Sequence, residues 1–119
     1  MTTNPQQRKA SPFRLIIARG ETQGKAFVLQ DGVNLVGRWD PDAGAFPEVD
    51  LENHDPEAKV SRRHAQIHVT ASGVEIEDLG SMNGTFINRG KRLETGSLQA
   101  LNPGDELIVG KTFLTLERS

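Results

Sequence analysis

A chain of 119 residues with 14 Lys plus Arg against 16 Asp plus Glu carries a formal charge of -2. That length gives room for one domain burying roughly two thirds of the surface its unfolded form exposes, and that charge argues against a protein whose main work is neutralising many nucleic-acid phosphates. The absence of cysteine excludes a disulfide framework, a thiolate nucleophile and thiolate metal ligands.

The opening MTTNPQQRKAS is polar and includes Pro5, which predicts a flexible tail over residues 1–11 and a single domain over 12–119. No apolar stretch has the length of a signal peptide or a membrane span, so a soluble, cytoplasmic protein without membrane insertion is expected. Ordered structure is expected from Phe13, because Phe13, Leu15 and Ile17 share one side of an extended chain. Strands follow at 25–30 and 33–37, across Asp31 and Gly32. At 64–69, Ala65, Ile67 and Val69 alternate with polar partners before Ser72 and Gly73 turn the chain into VEIEDL. Short strands at 85–87, 97–101, 106–109 and 112–116, with an NPGD turn at 102–105, complete the set. Apolar residues recur with period two between turn residues, and helical spacing is sustained nowhere for long. The pattern predicts an all-β sandwich of many short, mainly antiparallel strands, with its loops gathered at the ends.

One connection is much longer than the others. Trp39 to Lys59 reads WDPDAGAFPEVDLENHDPEAK, with seven acidic side chains before the first Lys or Arg and one brief extended candidate at Glu48 to Leu51. Two readings stand: a solvated surface excursion, or the border of a ligand groove that repels acidic partners. Phe46 is its candidate anchor, or else a satellite of the core.

Three strand ends carry the chemistry. Gly37 and Arg38 close LVGR, Ser61, Arg62, Arg63 and His64 open the strand at 64–69, and Ser81, Asn83, Gly84, Thr85 and Asn88 follow VEIEDLG. A sandwich can bring these ends to one rim holding guanidinium donors, a hydroxyl, glycine-exposed backbone N–H groups and an amide. Such donors suit a phosphate ester, which offers acceptor oxygens and close to two negative charges.

In this order and spacing the chain resembles the forkhead-associated (FHA) domain family, phosphothreonine-binding β-sandwiches. The resemblance runs over about Phe13 to Glu117: Gly37-Arg38, then Ser61-Arg62 with His64, then Gly80 to Thr85 with Asn88 following, then Gly104-Asp105 in the last turn. It implies an FHA-like sandwich that recognises a phosphothreonine-containing protein or peptide. In the family pattern Arg38 and Ser61 contact phosphate, Arg62 reaches phosphate or peptide, Asn83 holds the peptide backbone, and Lys59 reads a side chain three places after the phosphothreonine. Gly37, His64, Gly84, Thr85 and Asn88 fall on structural positions, His64 bracing the loops from inside. Met82 stands where many members put a threonine; its side chain cannot donate a hydrogen bond, so its backbone N–H is left to serve the peptide. A phosphorylated Thr2 or Thr3 would be a tethered ligand for the chain's own groove, an intramolecular tail contact.

Other classes leave weaker traces. Ser61, His64 and Asp78 supply the letters of a hydrolytic triad without the strand-to-helix nucleophile turn. His54, His64 and His68 have only weak metal-ligand spacing, and there is neither an HExxH motif nor a Walker loop, so no catalytic residues, metal or cofactor are expected. Arg62, Arg63, Lys91 and Arg92 form a modest basic set without a recognition helix or interleaved aromatics, so no specific nucleic acid is expected. A phosphate-independent interaction or scaffold module is the alternative to phosphopeptide recognition.

Overall fold

Alternating burial along the strands builds the molecule. In the computed structural model, which describes residues 8–119, the strands are β1 (Ala10–Ile17), β2 (Ala26–Gln30), β3 (Gly32–Gly37), β4 (Val49–Asp50), β5 (Arg63–Thr70), β6 (Gly73–Asp78), β7 (Thr85–Ile87), β8 (Gln99–Ala100), β9 (Glu106–Val109) and β10 (Thr112–Arg118). One sheet has the order β2-β1-β10-β9-β7 and the other β4-β3-β5-β6-β8. Every strand pair is antiparallel except β3 with β4. Leu15, Ile17, Leu107, Leu114 and Leu116 from the first sheet meet Val36, Ala65, Ile67 and Ile76 from the second in one apolar core. The predicted all-β sandwich is the observed fold.

Order begins earlier than Phe13. Ala10 pairs with Gln30, and the carbonyl of Lys9 accepts the Asp31 N–H at 2.8 Å. The Ser11 hydroxyl oxygen accepts the Phe13 N–H at 3.1 Å, so residues 10 and 11 are strand rather than tail. Polar composition misled here because one face of an edge-proximal strand needs no apolar residues. Residues 1–7, with the Thr2 and Thr3 of the tail contact, lie outside the described residues.

The acidic connection is sewn into the sandwich, which overturns its reading as a solvated excursion. Ala45, Val49 and Leu51 are fully buried. Val49 and Asp50 pair in parallel with Val36 and Gly37, and the Leu51 N–H reaches the Gly37 carbonyl at 2.8 Å. Phe46 is not the anchor: it is 53% exposed and packs edge-on against the equally exposed Trp39, ring centroids 5.1 Å apart. Several carboxylates in the segment serve as acceptors for backbone donors. Asp40 caps the 3-10 turn Pro41–Ala43, Asp50 accepts from Trp39 and Glu52, and Asp55 accepts from Lys59 and Val60 at 2.9 Å each. These bonds satisfy N–H groups that a loop outside the ladders would otherwise leave to water.

Candidate functional site

The rim is assembled by a close approach of two strand ends. The β3/β5 register shifts between Val36 and Gly37, and a Cβ at Gly37 would run into the carbonyl of Arg62. Glycine is therefore required there, and through this approach the Arg38 N–H bonds the Arg62 carbonyl at 3.1 Å. Arg38 comes to lie beside the Ser61-Arg62 segment, 23 positions further along the chain to Ser61. Its Nε–H donates to the Val60 carbonyl at 2.6 Å, which fixes the guanidinium at the surface and leaves its terminal nitrogens for another acceptor. Nη1 stands 3.8 Å from a carboxylate oxygen of Glu52.

Ser61 joins the second loop to the third. Its Oγ accepts the backbone N–H of Met82 at 3.2 Å, so the hydroxyl keeps its own proton to donate to an anion. That bond also corrects one expectation: the Met82 N–H is committed within the protein rather than left for a ligand. The Met82 side chain is 82% exposed. Asn83 donates from Nδ2 to the Lys59 carbonyl at 3.1 Å, and its amide oxygen has no partner among the described residues. It thus ties the two loops together and keeps an acceptor for a peptide N–H. Lys59 is partly buried, its backbone held by Asp55 and Asn83. Arg62 is mostly exposed, its Nε 2.5 Å from an Asp40 carboxylate oxygen.

Beneath this surface lies a polar bracket. His64 is fully buried; Nδ1 accepts the Ser61 N–H at 3.0 Å, so the ring proton sits on Nε2 and is donated to the Gly84 carbonyl at 2.8 Å. Burial pushes its pKa below the ordinary 6.5, against the opposing pull of the Gly84 bond and of Asp78. Gly84 holds a left-handed φ of +90°, a conformation that favours glycine. Asp78, also fully buried, accepts from Gly80 N, Ser81 N, Ser81 Oγ and Thr85 Oγ at 2.6 to 2.9 Å. Burial alone would raise its pKa, but the bonds from Ser81, Thr85 and Gly80 outweigh it and hold the carboxyl below its usual value. Asn88 bonds Asp105 and Glu106, anchoring the chain after β7.

The structure thus brings Gly37, Arg38, Lys59, Ser61, Arg62, Met82 and Asn83 to one rim, with His64, Gly84 and Thr85 as its support and Asn88 further along. It does not assemble a hydrolytic triad: His64 meets the backbone of Ser61 rather than its hydroxyl, and Asp78 is occupied by Ser81 and Thr85. Two of the basic residues are engaged with backbone carbonyls of the protein itself. Arg63 donates to the Gly44 carbonyl at 2.6 Å, and Arg92 donates to the carbonyls of Ser81 and Met82. Among the described residues no group of three or more His, Asp or Glu is placed to hold a metal ion.

Sequence reasoning missed two contributors. Asp55 orients the backbone at Lys59 and Val60, and Arg92 braces the third loop. The DPEAK turn around Asp55 carried a recognisable signal, an Asx side chain ahead of a proline. Arg92 carried none, because its partners are carbonyls ten and eleven residues back.

Comparison with known proteins agrees with this geometry. A family model described as FHA domain matches residues 34–110. The chain is 33% identical over 110 residues to an oxoglutarate dehydrogenase inhibitor of Corynebacterium glutamicum, covering 92% of this chain and 68% of that protein. The inhibitor of the same name from Corynebacterium efficiens is 36% identical over 97 residues, and the chain spans 59% of its length. Among solved structures, one determined for phosphothreonine-dependent FHA domain interactions superposes with a TM-score of 0.71 at 26% identity, covering 90% of this chain and 96% of that one.

Proposed function

The chain belongs to the FHA domain family, and on that premise we propose that its rim recognises a phosphothreonine in a protein or peptide, with Arg38, Ser61 and Arg62 on the phosphate and Asn83 on the peptide backbone. The observation that carries this is the joint placement of a fixed guanidinium at Arg38 and a free hydroxyl proton at Ser61 on two loops pinned to a third. Phosphate accepts several charge-assisted hydrogen bonds at once, and an arginine with its terminal nitrogens open is suited to supply them. Lys59 is the candidate reader of a side chain downstream of the phosphothreonine. The family is non-catalytic, and the rim's donors are suited to hold an ester rather than cleave it.

The test is a peptide library in which each phosphothreonine peptide is paired with its phosphoserine and unmodified forms. Binding confined to the phosphothreonine members is expected. A second reading, contact with a folded protein irrespective of phosphate, is favoured by the exposed Trp39 and Phe46 pair next to Arg38. Equal affinity for phosphorylated and unmodified forms would select it.

A further inference from the structure

Both arginines of the phosphate reading already have carboxylates beside them, from the acidic segment. Arg62 Nε lies 2.5 Å from Asp40, and Arg38 Nη1 lies 3.8 Å from Glu52. Two guanidiniums and two carboxylates give these four groups a formal sum of zero.

Glu52 is not needed to aim Arg38 at a ligand, whereas Asp40 is the partner that holds Arg62. Arg38 is held by its Nε–H bond to the Val60 carbonyl, and 3.8 Å from Glu52 is a Coulombic contact longer than a hydrogen bond. The Glu52 carboxylate has no other partner among the described residues. Asp40 divides its work: Oδ1 caps the Pro41–Ala43 turn, whereas Oδ2 is the oxygen on Arg62.

We propose that Asp40 and Glu52 are resident counter-anions of the phosphate site, displaced or outcompeted when phosphothreonine binds, and that they set its affinity. The proposal rests on the reading of Arg38 and Arg62 as phosphate contacts. A phosphate ester brings close to two charges and three acceptor oxygens, more than the one carboxylate it replaces on each arginine. An unphosphorylated acidic peptide only exchanges carboxylate for carboxylate and gains little. The segment that closes the fold at Ala45, Val49 and Leu51 thereby also keeps the rim neutral toward ordinary acidic sequences.

Glu52→Gln and Asp40→Asn test this with minimal change of shape, and asparagine keeps the oxygen that caps the turn. The probe is the tightest phosphothreonine peptide selected from a library on the parent protein, titrated calorimetrically at two salt concentrations, with melting curves for every variant. Each substitution is expected to tighten binding about two- to fivefold, the range of an exposed ion pair. The double variant should gain from both and lose affinity more steeply with salt, its arginines being uncompensated. Unchanged or weaker binding in folded variants, while Arg38→Ala still weakens it at least about tenfold, overturns the counter-anion role alone. A parent that binds no phosphothreonine peptide overturns the phosphate reading, and this proposal with it.

Discussion

The backbone N–H of Ser61 donates to Nδ1 of His64 at 3.0 Å. That bond settles which ring nitrogen carries the proton, and the Nε2–H then reaches across to the Gly84 carbonyl. One neutral imidazole therefore holds two loops at their correct separation.

His64→Ala should lower stability by about 2 to 4 kcal/mol, from a cavity plus two broken buried hydrogen bonds. Thermal melting checks this, and phosphopeptide affinity measured well below the transition should fall only through loosening of the loops. A variant of unchanged melting temperature with abolished binding would place the imidazole on the ligand instead.

Acid should destabilise the domain in two stages. His64 and Asp78 both have pKa values depressed by the fold, from 6.5 and 3.8 respectively. For each, the unfolded chain binds protons more readily than the native one, so stability falls with falling pH. The His64 contribution is complete above 6.5 and is withdrawn as pH drops through its lowered value; that of Asp78 follows below 3.8. Melting temperatures from pH 7.5 to 5 should therefore decline in the parent, with a shallower decline in His64→Gln. Parallel profiles would contradict the lowered pKa of the buried His64 imidazole.

Arg38→Ala and Ser61→Ala should weaken phosphothreonine binding by roughly tenfold to a hundredfold, corresponding to about 1.5 to 3 kcal/mol for a hydrogen bond to a charged group. Ser61→Ala also removes the acceptor for the Met82 N–H, so part of its effect will appear as a lower melting temperature. Arg38→Ala removes the bond to the Val60 carbonyl, so it too should melt somewhat lower, and its affinity is measured well below the transition. Calorimetric titration showing parent affinity for Arg38→Ala would dismantle the proposed phosphate site.

Lys59→Ala should reduce a preference for Asp or Glu at the third position after phosphothreonine. The change should be about 0 to 1 kcal/mol, the range of a rim charge pair, and far smaller than the phosphate effect. The backbone N–H and carbonyl of Lys59 are held by Asp55 and Asn83, so removing the side chain should leave the loop in place. Peptides with Asp, Leu or Ala at that position, compared at matched ionic strength, separate a charge preference from general weakening.

Most strands were legible because burial follows alternation: Ala65, Ile67 and Val69 are inside and Gln66 and His68 are partly exposed. The site's residues were legible by type and order, since Gly37 before Arg38 and Gly84 after Asn83 mark backbone geometries with few substitutes. The acidic segment was legible only at Glu48 to Leu51, the extended candidate that contains the strand Val49–Asp50. Its parallel pairing was not, because its partner β3 is joined through tertiary contact rather than a hairpin turn. Carboxylates that cap backbone N–H groups look, in sequence, like carboxylates that face water. Composition could not tell Asp55, committed to two N–H groups, from Glu52, beside Arg38.

Four bonds, Arg38 to Val60, Ser61 to Met82, Asn83 to Lys59 and His64 to Gly84, cross-link the rim from within the protein. The receptor therefore has little conformational entropy left to lose on complex formation, and ordering falls mainly on the incoming peptide. Association becomes docking onto a preformed template, with differences between good and poor peptides expressed chiefly as residence time.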